Sequence, residues 1–358
     1  MKKLSSRQLA FTYVGLFLGA GFVSGQELWQ FFACFGTIGL LGFLGTCALF
    51  FYIVYSCFRL ILALADPSVG KLLTCGNIPW LHTTVDMMLI LLNFGVLVIM
   101  IAGAASLIQQ ITGLSYAISG GIFTLAVLIV AMAGINGLVS TFSIIVPITT
   151  ACAVIIGLVF LIRNGFQMAP AVGRVSPMVP NWWICCISYA AYNLFGNISV
   201  LIPFRAALPD AKTMRKGLAS GSIIFIVLAW SIISAMVSNP SAGITELPMS
   251  VMASQLHPAF GICYGVLMGA GMFSCALSRS FGISGQLERS WSSLRKYNKT
   301  MTIGIYALAF FLSLVGFGEL IGIIYPFFGY VSIPFLICIV LNWHRTKKSL
   351  NPKQGVQA

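Results

Sequence analysis

Charge is what this chain has least of. Asp, Glu, Lys and Arg make up 8% of its 358 residues, and only seven residues are acidic, where a soluble domain carries about a quarter charged. A water-facing surface cannot be assembled from so little, which excludes a soluble globular protein. Histidine occurs three times, at His82, His257 and His344, each near the end of an apolar run. The ten cysteines form no CxxC and no Cys–His spacing, so they read as small packing residues and no metal centre is expected. HExxH and GxSxG are absent, and the polar residues are too few to cluster, so the chain is not expected to be an enzyme. A polar segment of domain length is missing as well.

Apolar residues fill that space. They account for 59% of the chain, and the mean hydropathy is +0.98. Runs of about 20 apolar residues recur throughout, the length that crosses a hydrocarbon core of about 30 Å. Ten spans are expected: Gln8–Phe35, Gly39–Ala65, Thr83–Gln110, Tyr116–Gly134, Leu138–Ile162, Asn181–Ala207, Thr213–Ser238, Pro258–Ser280, Thr300–Phe317 and Ile321–Trp343. The sequence thus predicts an all-α polytopic membrane protein, a single domain over residues 1–358 with a tail at 344–358. The basic start at Lys2 and Lys3 lacks a small-residue cleavage site after its apolar run, so span one is expected to be retained.

If the connections alternate across the bilayer, eighteen of the twenty Lys and Arg residues fall on the side of both termini, and only Arg163 and Arg174 fall on the other. This is the positive-inside asymmetry. It predicts a multi-pass protein of the cell membrane with both termini cytoplasmic. Trp80, Trp182, Trp183 and Trp343 stand where interfacial belts belong. The net charge of +13 is therefore a topology signal, and nucleic acid is not an expected partner. The basic connection from Arg279 to Thr300 can bind anionic headgroups of the lipid bilayer or dock a protein partner, whose identity the sequence leaves unknown.

An internal repeat is expected, one half at about 8–162 and the other at about 181–343, divided at "RNGFQMAPAVGRVSPMVPN". Each half opens with two spans, continues with a long connection (Asp66–His82, Asn239–His257) and ends with three more spans. Five is odd, so the second half enters the membrane in the opposite sense, as inverted-topology repeats do. The first span of each half is interrupted, span one at "GAGFVSGQE" and span six at "YNLFGN", Tyr192 to Asn197. Paired interruptions of this kind point to a transporter binding site.

Gly19, Ala20, Gly21, Ser24, Gly25 and Gln26 form the first interruption. If the helix unwinds there, freed N–H groups can bind a solute carboxylate and freed carbonyls can ligate a cation. Gly15 with Gly19, and Gly21 with Gly25, are also spaced as small-xxx-small pairs that let two helices pack closely. Glu27 is an ionisable residue within a span and hence a candidate for coupling or gating; reached by water, it can equally pair with a neighbour. "GAGFVSG" lies between membrane-length apolar runs and is not read as a nucleotide loop. In span six, Tyr189, Tyr192, Asn193 and Asn197 set polar tips around Gly196, as solute contacts or as an interhelical network. Asn93 in span three has similar standing. Ser274 and Ser278 are four apart on one face of span eight, able to ligate a cation or to bond back to their own helix. Asp66, Asp86, Asp210, Glu246, Glu288 and Glu319 are expected to be solvated.

The opening "FTYVGLFLGAGFVSGQELWQFF" resembles the start of the YkvI-like bacterial membrane proteins, regarded as permeases of the amino acid–polyamine–organocation superfamily. The resemblance is specific over Phe11 to Gly36 and general in span count elsewhere. It implies a LeuT-type fold, two inverted five-helix repeats with helices one and six broken at the site, and secondary transport driven by Na⁺ or H⁺. Gly19 to Gln26 match the unwound part of helix one, and Tyr192 to Asn197 the break in helix six. Sodium-coupled relatives set two adjacent hydroxyl residues of helix eight against the helix-one carbonyls, which here would place Na⁺ near Ala20 and Ser274. The pair reads Ser274 and Cys275, and a thiol is a poor ligand for a hard cation. The expected function is an ion-coupled permease for a small polar solute such as an amino acid, working by alternating access. The alternative is a transporter-like sensor that binds a solute and signals without flux.

Overall fold

The computed structural model describes residues 3–75, 79–133, 145–165, 176, 178–290 and 298–349; Arg174, most of the connection between the halves, the start of span five and much of the basic connection after span eight lie outside these. Among the described residues every regular element is helical. Span one is not one helix but three: α1 (Ser6–Phe17), α2 (Ala20–Ser24) and α3 (Gln26–Phe31), followed by a short 3₁₀ turn at Ala33–Phe35. Then come α4 (Thr37–Ala63), the short α5 (Val69–Leu73), α6 (Pro79–Thr112), α7 (Tyr116–Met132) and α8 (Ile145–Asn164). The second half holds α9 (Trp182–Leu201), α10 (Ala211–Ser238), the short α11 (Pro240–Gly243) and α12 (Pro248–Leu256), α13 (Pro258–Ser290), α14 (Asn298–Ser313) and α15 (Phe317–Ser349). Proline opens α11, α12 and α13, where its missing N–H would have had no helical partner.

Seven of these helices, α4, α6, α8, α9 with its 3₁₀ extension to Ala207, α10, α13 and α15, are long and apolar enough to cross a membrane. The apolar α7 and α14 are shorter, and the broken span one completes the expected set. Leu41, Ile129, Ile162, Val227 and Phe311 are exposed on the outside of the bundle, as a hydrocarbon solvent requires. The interior is aromatic: Phe17 stacks on Phe50 with ring centroids 3.9 Å apart, and Phe22 and Phe43 close on Phe225 at 5.2 and 5.4 Å.

Packing partners exchange consistently between the halves. Span one (α1) packs on α10 as α9 packs on α4; α8 packs on α10 as α15 packs on α4; α8 packs on α13 as α15 packs on α6; and α6 pairs with α13. The chain is thus an all-α polytopic bundle whose two halves pack alike.

The structure corrects the expected break in span six. Tyr192 to Asn197 lie inside a continuous α9, which tightens to 3₁₀ only at Ile202, beside Pro203. The polar residues that suggested unwinding are satisfied by the helix itself: Asn193 Nδ2 donates to the Tyr189 carbonyl at 3.1 Å, and Asn197 Nδ2 to the Asn193 carbonyl at 2.9 Å. Span eight is also longer than expected. α13 runs on to Ser290, which places Arg279 eleven residues, about 16 Å, inside its end.

Span one breaks twice, and the second break requires glycine. At Leu18 and Gly19 the chain is extended, and at Gly25 it turns left-handed with φ of 83°. A Cβ on Gly25 would stand 2.8 Å from Met249 Cγ. Gly25→Ala is expected to cost about 1–2 kcal/mol in backbone strain alone, read as a melting temperature lower by several degrees in detergent, whereas Gly15→Ala, with open space beside it, changes it little.

Candidate functional site

The break at Leu18–Gly19 opens one wall of a central cavity of about 330 Å³. Gly15 to Gly19, Gly21 and Glu27 form that wall, and α6 contributes Leu92, Val96 and Met100. Tyr192, Asn193, Gly196, Asn197 and Val200 come from one face of α9; Gly271, Ser274, Cys275, Ser278 and Arg279 from one face of α13; Tyr325 from α15.

The geometry around Gly25 explains why Glu27 faces this space. Ser24 Oγ accepts from Gln26 N at 3.3 Å and donates to the Gly21 carbonyl at 2.8 Å. The Tyr264 hydroxyl of α13 donates to the Val23 carbonyl. With α2 fixed in this way, the left-handed turn starts α3 in a new direction and folds Glu27 back over α2. Glu27 is 5% exposed, and its Oε1 accepts from the Tyr192 hydroxyl. Its Oε2 lies so close to Gly21 that a Cβ there would overlap it. Tyr192 in turn stacks on Tyr325, centroids 4.4 Å apart and planes within 10°. A single carboxyl therefore ties α2, α3 and α9 together, and through a stacked ring α15.

The structure divides the expected site residues. Gly19, Gly21, Glu27, Tyr192, Asn193, Gly196, Asn197, Ser274 and Ser278 share the central cavity. Ser24 and Gly25 are buried in the break and shape it without lining it. Ala20 opens α2; its side chain is outside the described ones. Tyr189 lies one turn further along α9 than the cavity lining and is fully buried among Phe31, Phe32 and Phe50, beside the Glu27 carboxyl. Gln26 faces away, into a separate cavity of about 230 Å³ shared with Gln30, Glu246 and Glu319. Asn93 sits below the central cavity, in a third one of about 420 Å³ with Asp86, Gly282 and Gln286.

Two participants escaped the sequence reading, Tyr325 and Arg279. Tyr325 stands beside Pro326 in a span otherwise read as plain apolar helix. Arg279 was grouped with the basic cytoplasmic connection, although it is one turn past Cys275 on the same face.

These cavities fix what is connected to what. The central cavity and the Asn93 cavity share Gly196, Val200, Ser278 and Arg279, so they meet at a neck. With the Gln26 cavity the central one shares no lining residue among the described ones. The partition is thin: Gln26 and Glu27 are neighbours on α3, and Gly322 and Tyr325 are one turn apart on α15. Behind it, Glu246 Oε2 accepts from Phe317 N at 2.9 Å, Gly318 N at 3.2 Å and Ser106 Oγ at 3.2 Å. The connection after α11, expected to be merely solvated there, is thus clasped to the start of α15 and to α6.

Gly21→Ala is expected to displace the Glu27 carboxyl from Tyr192 while preserving the fold. Tyr192→Phe removes the same hydrogen bond without adding bulk. Both variants should remain monodisperse on size exclusion and share one functional defect; a defect confined to Gly21→Ala would mean that the Glu27–Tyr192 bond is not what matters.

No protein-family model matches the sequence. It is 28% identical over 97% of its length to the uncharacterized membrane protein YkvI of Bacillus subtilis (strain 168), covering 99% of that protein. It is 19% identical over 92% of its length to the uncharacterized protein YyaD of the same organism, covering 94% of it. Among solved structures, it is similar to MhsT in complex with L-phenylalanine, with a TM-score of 0.62 and 18% identity over 95% of this chain and 89% of MhsT. The resemblance seen in span one therefore extends along the chain: this is a multi-pass membrane protein similar to YkvI, built on the LeuT-type fold that MhsT also has.

Proposed function

We propose that the chain is a secondary transporter that carries a small polar solute through the central cavity by alternating access, coupled to an ion gradient. One observation supports this above the others. A cavity at a broken helix, with Glu27, Tyr192, Asn193 and Asn197 among its lining, joins one further cavity at a neck and is separated from another by a partition about one helical turn thick. A transporter must visit such a state; a packed structural bundle has no use for it.

In this reading Glu27 is the coupling group. A proton taken up there changes the bond that Tyr192 donates, and Tyr192 transmits the change to α15 through its stacked ring. Na⁺ is the alternative ion, bound at the α13 face near Ser274 and the start of α2. The thiol of Cys275 at the position of a second hydroxyl favours the proton. The solute class to try first is amino acids, because MhsT, of the same fold, was solved with L-phenylalanine. In this reading the positive-inside asymmetry supports both termini, and with them the Arg279 neck, facing the cytoplasm.

The test is uptake of a pooled, labelled amino-acid set into proteoliposomes under imposed H⁺ or Na⁺ gradients. Accumulation above one solute per protein is expected with a proton gradient, and Glu27→Gln should bind solute yet lose gradient-driven accumulation. Saturable binding without accumulation would instead favour a sensor. For the topology, alkaline phosphatase fused to the C-terminus is expected to be inactive in cells; an active fusion would invert the assignment.

A further inference from the structure

We propose that Arg279 makes the neck of the central cavity an anion filter, and that the solute carries a net negative charge, a small carboxylic acid such as an acidic amino acid or a dicarboxylate. This rests on the transport reading for its consequence but on separate residues for its geometry.

Arg279 Nη1 donates to Asn93 Oδ1 at 2.9 Å across the α6–α13 interface. Two turns away Gln286 Nε2 donates to Asp86 Oδ1 at 3.3 Å, a second rung of the same antiparallel ladder. The two rungs are seven residues apart on each helix, about 10 Å, so Asp86 belongs to the mouth of the lower cavity and not to the neck. No described carboxylate forms an ion pair with Arg279. Its anchor is a neutral amide oxygen, which uses one of five guanidinium donors and compensates none of the charge.

Glu27, the acid of the central cavity, lines that cavity but not the lower one, with one oxygen held by Tyr192 and the other against Gly21. At the neck, the four residues common to both cavities include one charged side chain, and it is positive. Arg279 lines both cavities together with Ser278, Gly196 and Val200. The small side chains opposite leave room for a carboxylate to meet the guanidinium in a two-pronged contact, with Ser278 beside it. Walls of low dielectric strengthen the field at such a constriction, and rings or points of positive charge there select anions and repel cations. Basic amino acids and polyamines are accordingly excluded.

The test is binding to the full chain in nanodiscs by titration calorimetry, with L-glutamate, L-aspartate and succinate against L-glutamine, L-lysine and putrescine. At least one acid is expected to bind about tenfold or more tightly than L-glutamine, and neither cation to bind. Arg279→Gln should abolish the preference for the acid, and Arg279→Lys, which keeps the charge, should retain much of it and show that the site still folds. No binding by any of the acids, binding of a cation, or an acid preference that survives Arg279→Gln would overturn the proposal. The uptake assay separates this from the transport reading. Arg279-dependent acid binding without flux would sink transport and keep the filter; gradient-driven flux of neutral or cationic solutes, unchanged in Arg279→Gln, would do the reverse.

Discussion

A backbone that leaves the helix inside a bilayer must find a partner for each group it frees, because hydrocarbon offers none. Span one meets that condition at Gly25. The Ser24 hydroxyl bridges the turn, Gly25 N donates to the Phe22 carbonyl at 3.1 Å, Trp29 N to the Gly25 carbonyl at 2.8 Å, and Tyr264 reaches across from α13 to the Val23 carbonyl. Only because these bonds are made can a five-residue helix exist between two breaks. Only because α3 sets off in its own direction does a carboxylate reach Tyr192. The carboxyl within the cavity and the partition beside it both descend from this local solution.

The partition itself is built from rings more than from charge. Tyr192 and Tyr325 lie face to face, Tyr189 and Phe31 meet edge-on at 5.2 Å, and Phe32 closes on Tyr189 at 5.0 Å. Flat rings sliding over one another lose little contact for a small displacement, whereas interdigitated aliphatic chains would have to unlock. On the far side Glu246 holds the connection after α11 by three hydrogen bonds, two of them to the free N–H groups that start α15. Inner and outer layers thus share α15, which carries both Tyr325 and the clasped N-terminus.

Much of this was legible in the sequence, and what was not has a common cause. Composition and run length gave the number of spans, and the glycines located the break in span one. A helical periodicity gathered Tyr192, Asn193, Gly196 and Asn197 onto one face. The sequence does not say whether a polar side chain in a span bonds to a neighbour or back to its own helix. Asn193 and Asn197 do the latter, which is why a break was expected where α9 is continuous. Nor does it give the height of a residue relative to a surface made by other helices. Tyr189 is on the right face but one turn past the cavity. Gln26 and Glu27 are adjacent and face opposite compartments. Arg279 looked like the start of a cytoplasmic loop because the end of α13, eleven residues on, carries no apolar signal.

The separation of Gln26 from Glu27 has a bearing on energetics. Glu27 lines a space that joins the neck cavity and shares no described lining residue with the cavity of Gln26. In the transport reading proposed above, an ion bound at Glu27 would see the chemical potential of the neck side alone. On that reading a water path past Glu27 in both directions would dissipate the gradient as heat, and one turn of α3, with Gln26 on one side and Glu27 on the other, would be the insulation between two reservoirs.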